Sequence, residues 1–387
     1  MSAVHWTERA NAWKDEARIL FDHLHSHPEV SWKEVETTNF LATQLQNLGL
    51  RVTTFPDIPG VLGEWGPTSG ATVALRADID ALWQQVTGEW RANHSCGHDG
   101  HMTMVLLATR LLRERLPNPA VRIRVLFQPA EEKGEGAIRF TERGAVEDVV
   151  YLFGVHVRPL EELDVGRMSA AILNGAAIQL EGQVRGTAAH GARPHLGVNA
   201  IEVASAILQS VQGIHLAPMV PHTAKMTRLV AGGDSVNIIP DTASFAFDLR
   251  AQTNECMDAL ANAVESRIEC IASMYGAEVE IWRGPRIMAA EVNPEARELM
   301  AASIQAVLGA EALAPDIVTP GAEDFHYYTS LRPGVKATML GLGCGVAPGL
   351  HHPQMTFQRE LLLDGAKILA EVVSRAVDEV GGISADV

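Results

Sequence analysis

No stretch of this chain approaches the roughly 20 consecutive apolar residues that a membrane-spanning helix needs. The opening segment, Met1-Ser2-Ala3-Val4-His5-Trp6-Thr7-Glu8-Arg9, lacks the apolar core of a secretory signal, and Asp15 and Glu16 follow soon after. Cysteine is scarce too. Cys96, Cys256, Cys270 and Cys344 have no paired spacing, which argues against a disulfide framework and for a reducing compartment. Positive charge is short: 31 Lys and Arg stand against 47 Asp and Glu, a net charge of −16. A surface that acidic disfavours nucleic acid and anionic membranes as partners. The expectation is a cytoplasmic protein without an anchor.

What is present reads as globular. Hydrophobic residues make up 47% and charged residues 20% of 387 positions, enough for two domains. The first half alternates strand-like runs at 71–75, 121–127 and 149–153 with helical stretches at 34–48, 102–115 and 134–143. That alternation predicts a largely parallel sheet covered on both faces. From about 175 the order becomes β-α-β-β-α-β, with strands at 177–184, 224–231, 243–250 and 277–282 and helices at 199–212 and 256–274. This is the ferredoxin-like pattern. After Gly284-Pro285 come a helix at 294–308, a strand at 336–342 and a terminal helix near 360–380. The predicted architecture is α/β: a discontinuous domain of residues 1–174 and 285–387, with a smaller α+β domain of residues 175–284 inserted.

One nonapeptide concentrates chemistry. Asn93-His94-Ser95-Cys96-Gly97-His98-Asp99-Gly100-His101 packs one thiol, three imidazoles and one carboxylate into nine residues. Thiolate and imidazole are the usual ligands of zinc-like ions, and the two glycines let the backbone wrap a small object. Three first-half strands then run directly into acids or imidazole: Asp78 and Asp80, Glu131 and Glu132, and His156. In open α/β sheets ligands bind beyond the carboxyl ends of the strands. A fourth strand, at 336–342, precedes His351-His352-Pro353.

Charge arithmetic points the same way. Asp78, Asp80, Glu131, Glu132 and a Cys96 thiolate in one cleft repel, and only Arg76 and Lys133 stand near them in sequence. Two divalent cations would neutralise such a site and activate a shared water. An adjacent carboxylate pair can divide the labour, one binding metal and the other accepting a proton. Taken alone, Glu131-Glu132 is what a solvated surface carries; its place after a strand and Gln128-Pro129-Ala130 favours function. Asp78 and Asp80 either close a strand or orient a ligand imidazole. His101 is expected to be structural and Asp99 to cap the helix that follows.

The set Arg76-Ala77-Asp78-Ile79-Asp80-Ala81-Leu82, Ser95-Cys96-Gly97-His98-Asp99-Gly100-His101, Phe127-Gln128-Pro129-Ala130-Glu131-Glu132, Gly154-Val155-His156, Pro320-Gly321-Ala322-Glu323-Asp324-Phe325 and Leu350-His351-His352-Pro353 resembles the aminoacylase and carboxypeptidase family of two-metal peptidases. More narrowly it resembles the amidohydrolase branch: hippurate hydrolases, N-acyl-amino-acid deacylases and auxin-conjugate hydrolases. The resemblance implies a catalytic domain and a lid domain. It implies Cys96, His98, Glu132, His156 and His351 as ligands of two divalent ions, with Glu131 as general base and Asp80 as the catalytic-site aspartate; thiolate and imidazole favour zinc among such ions, and carboxylates leave manganese open. In the lid it implies His190 as oxyanion donor, Asn237 beside the scissile group and Arg250 on a substrate carboxylate. In many relatives His190 and Asn237 act across a dimer interface, which implies a homodimer through the lid.

The chain departs from the branch after Leu82, where Trp83-Gln84-Gln85 replaces the usual Pro and nearby Glu, so the cleft wall is expected to differ. The implied reaction is hydrolysis of the amide in a small N-acyl amino acid. A dipeptidase or carboxypeptidase activity of the same family is the alternative. A hydrolase using Cys96 as nucleophile is the rival from another class; it leaves Glu131-Glu132 and His351 unexplained. A non-catalytic binding protein on the same scaffold is the third.

Overall fold

The computed structural model describes residues 13–383. The segment read above for a targeting signal lies outside them. Among the described residues no helix is long and apolar enough to cross a membrane. All four cysteines are free thiols.

The chain divides into two compact units. One takes the described residues up to Leu173, Glu291–Ile317 and those from Asp324 onward; the other takes Asn174–Ala290 and Val318–Glu323. The second unit's last strand, Glu278–Ile287, runs through Gly284-Pro285, where the sequence suggested a boundary. Its pairing with Ala176–Arg185 continues to Ile287, so the ladder outlasts the Gly-Pro signal.

In the first unit an eight-stranded sheet is parallel at its centre. Arg122–Gln128, Thr72–Asp78, Val149–Pro159 and Lys336–Val346 lie side by side in that order. The chain goes from Thr72–Asp78 to one neighbour and then crosses to the other. Strand order therefore reverses around Thr72–Asp78, the position where α/β sheets open a crevice at their carboxyl ends. Both Thr72–Asp78 and Arg122–Gln128 are buried throughout, as strands covered on two faces must be.

Helix His98–Arg115 begins four residues before the predicted start, which brings His98 into its first turn. Its N-cap is Gly97, not Asp99. Gly97 has φ +89°, and a Cβ there would stand 2.5 Å from Val157 Cγ2, so glycine is required twice over. Asp99 instead accepts from Gly100 N–H and from His25.

The second unit is a four-stranded antiparallel sheet. Its order is His222–Ala231, Thr242–Ala251, Ala176–Arg185, Glu278–Ile287, with helices Ala200–Gln212 and Asn254–Tyr275. Ile178, Leu180 and Val184 alternate inward from one central strand and Phe245, Phe247 and Leu249 from the other, meeting Val203, Ile207, Leu260 and Val264 of the helices.

Candidate metal centre

Three histidines have tautomers fixed by their partners. His98 Nδ1 lies 2.9 Å from the Asp80 backbone carbonyl and His156 Nδ1 lies 2.6 Å from that of Val157. A carbonyl only accepts, so each Nδ1 carries the proton and each Nε2 presents a lone pair. His101 is the reverse case. Val157 N–H donates to its Nε2 at 3.0 Å, and its Nδ1 donates to Asp78 at 2.7 Å. Both nitrogens of His101 are engaged, so it positions its neighbours and leaves ligation to them.

The two Nε2 atoms converge on acids and sulfur. His156 Nε2 is 3.6 Å from Cys96 Sγ. His98 Nε2 is 3.9 Å from Glu131 Oε2 and 3.8 Å from Glu132 Oε1. His98 Nε2 and Glu132 Oε1 are buried without a hydrogen-bond partner. His351 Nε2 stands 3.5 Å from the other Glu132 oxygen. Three ligand sets, each with its atoms within 4.8 Å, overlap here: Cys96, His98 and His156; Cys96, Glu132 and His351; His98, Glu131 and Glu132. Buried polar atoms crowded together without partners are costly unless a cation or protons sit among them, so the donor set fits divalent metal. His352 Nδ1, by contrast, accepts from Gln354 N–H.

The electrostatics agree. Burial works against charge on His98, yet Asp78, Cys96 and Asp80 together outweigh it and hold the imidazole well above its ordinary pKa. Burial, with His101 beside it, keeps His156 neutral, the form that ligates. Burial, opposed by His98 and helped by Asp80, pushes Glu132 up to about 7. The thiol of Cys96 is held well up by burial and by Glu132. In the protein without an ion, protons occupy the positions that a cation would take.

Asp80 is fully buried, and its side chain lies 3.3 Å from His98 Nδ1 while accepting from Ser31 Oγ at 2.6 Å and from Glu132 N–H at 3.1 Å. It touches two of the implied ligand residues at once. Asp78 is not the uncompensated acid that the charge arithmetic assumed. Arg76, 0% exposed, pairs with it at 2.7 Å and reaches Asp324 at 2.8 Å and Gln128 at 2.9 Å. Asp324 N–H in turn stands 3.4 Å from Glu131 Oε1. His156 also lies within strand Val149–Pro159 and not beyond its end. Pairing with Thr72–Asp78 stops at Phe153, and the strand continues against Lys336–Val346 alone, which brings His156 to the crevice.

Glu34 escaped sequence reading. It is buried 96 residues from the backbone N–H of Ala130 that it accepts at 2.8 Å. Ala130 has φ +53°, and the next two residues are Glu131 and Glu132. Burial and the nearby Asp80 charge push the Glu34 carboxyl from 4.5 up to about 8. Between those values the folded protein holds a proton that the unfolded chain releases, so this group lowers stability as pH rises across the window. Glu34→Gln should therefore gain stability over the parent from pH about 5 to about 8. Denaturant unfolding across that range checks it; a pH-independent difference would contradict it.

In the second unit, Ala189–His190 pairs with Ile238–Ile239, and Gly191 N–H donates to the Asn237 carbonyl at 2.7 Å. His190 and Asn237 thus share one exposed ribbon. Arg250 donates to Asp248 at 2.7 and 3.0 Å and lines a cavity of about 110 Å³ with Gly175, His222 and Pro320.

Such a sheet, opening on a buried thiol, imidazole and carboxylate set, defines a metallohydrolase. The chain belongs to peptidase family M20/M25/M40, whose profile matches residues 74–375. It is 32% identical to N-acetylcysteine deacetylase of Bacillus subtilis over 90% of this chain and 93% of that protein. It is 29% identical to IAA-amino acid hydrolase ILR1-like 5 of Arabidopsis thaliana over 91% and 84%. The crystal structure of Bacillus subtilis YXEP protein, described as a dinuclear metal binding peptidase of the M20 family, superposes with a TM-score of 0.82 at 26% identity, covering 95% of this chain and 99% of that one.

Proposed function

We propose that the protein hydrolyses the amide bond of N-acyl amino acids or amino-acid conjugates, with two divalent cations held by Cys96, His98, Glu132, His156 and His351. The observation that carries this reading is the pair of buried polar atoms without a hydrogen-bond partner, His98 Nε2 and Glu132 Oε1, beside Glu131. Bound there, divalent metal supplies Lewis acidity to the scissile carbonyl and acidifies water.

The chain's own groups do the rest. Glu131 takes the proton of the attacking water and returns it to the departing amine nitrogen. Asp80 holds His98 and the Glu132 backbone in place. In the lid, His190 donates to the developing oxyanion, Asn237 lies against the scissile group and Arg250 pairs with the substrate carboxylate. We further assign the ions as zinc or manganese, the location as cytoplasmic and the assembly as a homodimer through the lid. No nucleic acid or membrane partner belongs to this reading.

Metal-loaded enzyme assayed against N-acetyl, N-benzoyl and indole-acyl amino acids, with dipeptides alongside, tests the proposal. Release of free amino acid from at least one acyl conjugate is expected. Hydrolysis of dipeptides alone would make it a peptidase instead.

A further inference from the structure

We propose that Gln84 is a positioning residue: its side-chain amide fastens the His351 loop to the loop carrying Cys96 and His98, and so sets how tightly the ion at His351 is held. This rests on reading His351 as a metal ligand.

Strand Leu82–Val86 alternates in exposure, so Trp83 and Gln85 face solvent while Gln84 faces the other way. Gln84 Nε2 donates to the His351 carbonyl at 2.8 Å. Its Oε1 accepts from Ser95 Oγ at 2.8 Å and from Asn93 Nδ2 at 3.1 Å. The His351 carbonyl can only accept, which fixes the orientation of the amide. One side chain therefore bonds to both ligand loops.

His351 needs this support. Its φ is +63°, a conformation that a residue with a Cβ keeps only when its surroundings hold it there. Its side chain is 53% exposed, whereas His98 and Cys96 are buried, so packing does little to locate it. Its backbone is located by hydrogen bonds: N–H to the Ser95 carbonyl at 2.8 Å, and C=O to Gln84. Asn93, already on Gln84, also donates to the Pro353 carbonyl at 3.1 Å. Through Gln84 the Trp83-Gln84-Gln85 segment thus meets both ligand loops.

The test compares the full-length parent with Gln84→Met, Gln84→Glu and His351→Ala. Gln84→Met keeps length and loses every bond. Gln84→Glu keeps shape and the acceptor side but cannot donate to the His351 carbonyl. Each protein is equilibrated with buffered free zinc and its bound equivalents are counted by elemental analysis. We expect both Gln84 variants to need about 10- to 100-fold more free zinc to fill one of two equivalents, the other being unchanged. His351→Ala should weaken the same equivalent. Turnover of the Gln84 variants at saturating zinc should recover toward the parent. If His351→Ala loses an equivalent and Gln84→Glu binds zinc like the parent, the inference is wrong and the His351 reading stands. If His351→Ala keeps both, that reading fails and the inference with it. Gln84→Glu decides the matter even if Gln84→Met fails to fold.

Discussion

Glu131→Gln should keep its metal and lose roughly 10²–10⁴-fold in turnover, the usual contribution of a positioned general base. That is about 3–5 kcal/mol of barrier. Gln preserves shape, and its Oε1 can still accept from Asp324 N–H, 3.4 Å from the carboxylate in the parent. What it removes is the ability to take a proton. Three of the five groups assigned as ligands keep their own supports: Val157 holds His156, Asp80 holds His98, and the Asp80 side chain meets the Glu132 N–H. Elemental analysis and steady-state turnover on the same preparation check both halves. Near-normal turnover would remove Glu131 from the chemistry. Loss of metal together with activity would make it a ligand.

Much of the site was legible because strand ends carry ligands in this fold class. Cys96, His98, Glu131 and Glu132 stand where a short motif or a strand terminus announces them, and the β-α-β-β-α-β order exposed the second unit. Other features depend on contacts with no local signature. Glu34 reaches Ala130 across 96 residues, and Ser31 reaches Asp80 across 49. Arg76 and Asp324 are 248 positions apart. No periodicity brings such pairs together; the tertiary fold does.

Two expectations failed. Asp78 was counted as unneutralised because sequence shows no cation cluster, yet one buried guanidinium serves both Asp78 and Asp324. Fully buried charge is tolerated when paired and multiply hydrogen-bonded, and Gln128 and Ala137 N–H complete that set. Asp99 was expected to cap its helix, but Gly97 takes that position and frees Asp99 for His25. The partner of Asp78 is local and that of Asp99 lies 74 residues away.

Removal of metal should abolish hydrolysis, the largest effect of all. His98 and His156 have their Nδ1 protons on backbone carbonyls, so in the neutral rings each Nε2 lone pair faces the acids and sulfur. Without a cation these acceptors polarise nothing, and Glu131 has only ordinary water to deprotonate. The cysteine-nucleophile rival makes the opposite demand. It needs a thiolate at neutral pH, whereas burial and Glu132 hold the Cys96 thiol well above its ordinary pKa. The most direct measurement is therefore a titration of zinc or manganese into chelator-treated enzyme while amino-acid release is followed. The two-metal account predicts no hydrolysis above background at the start and a plateau near two equivalents per chain. Undiminished hydrolysis in excess EDTA, abolished by alkylation of Cys96, would contradict it.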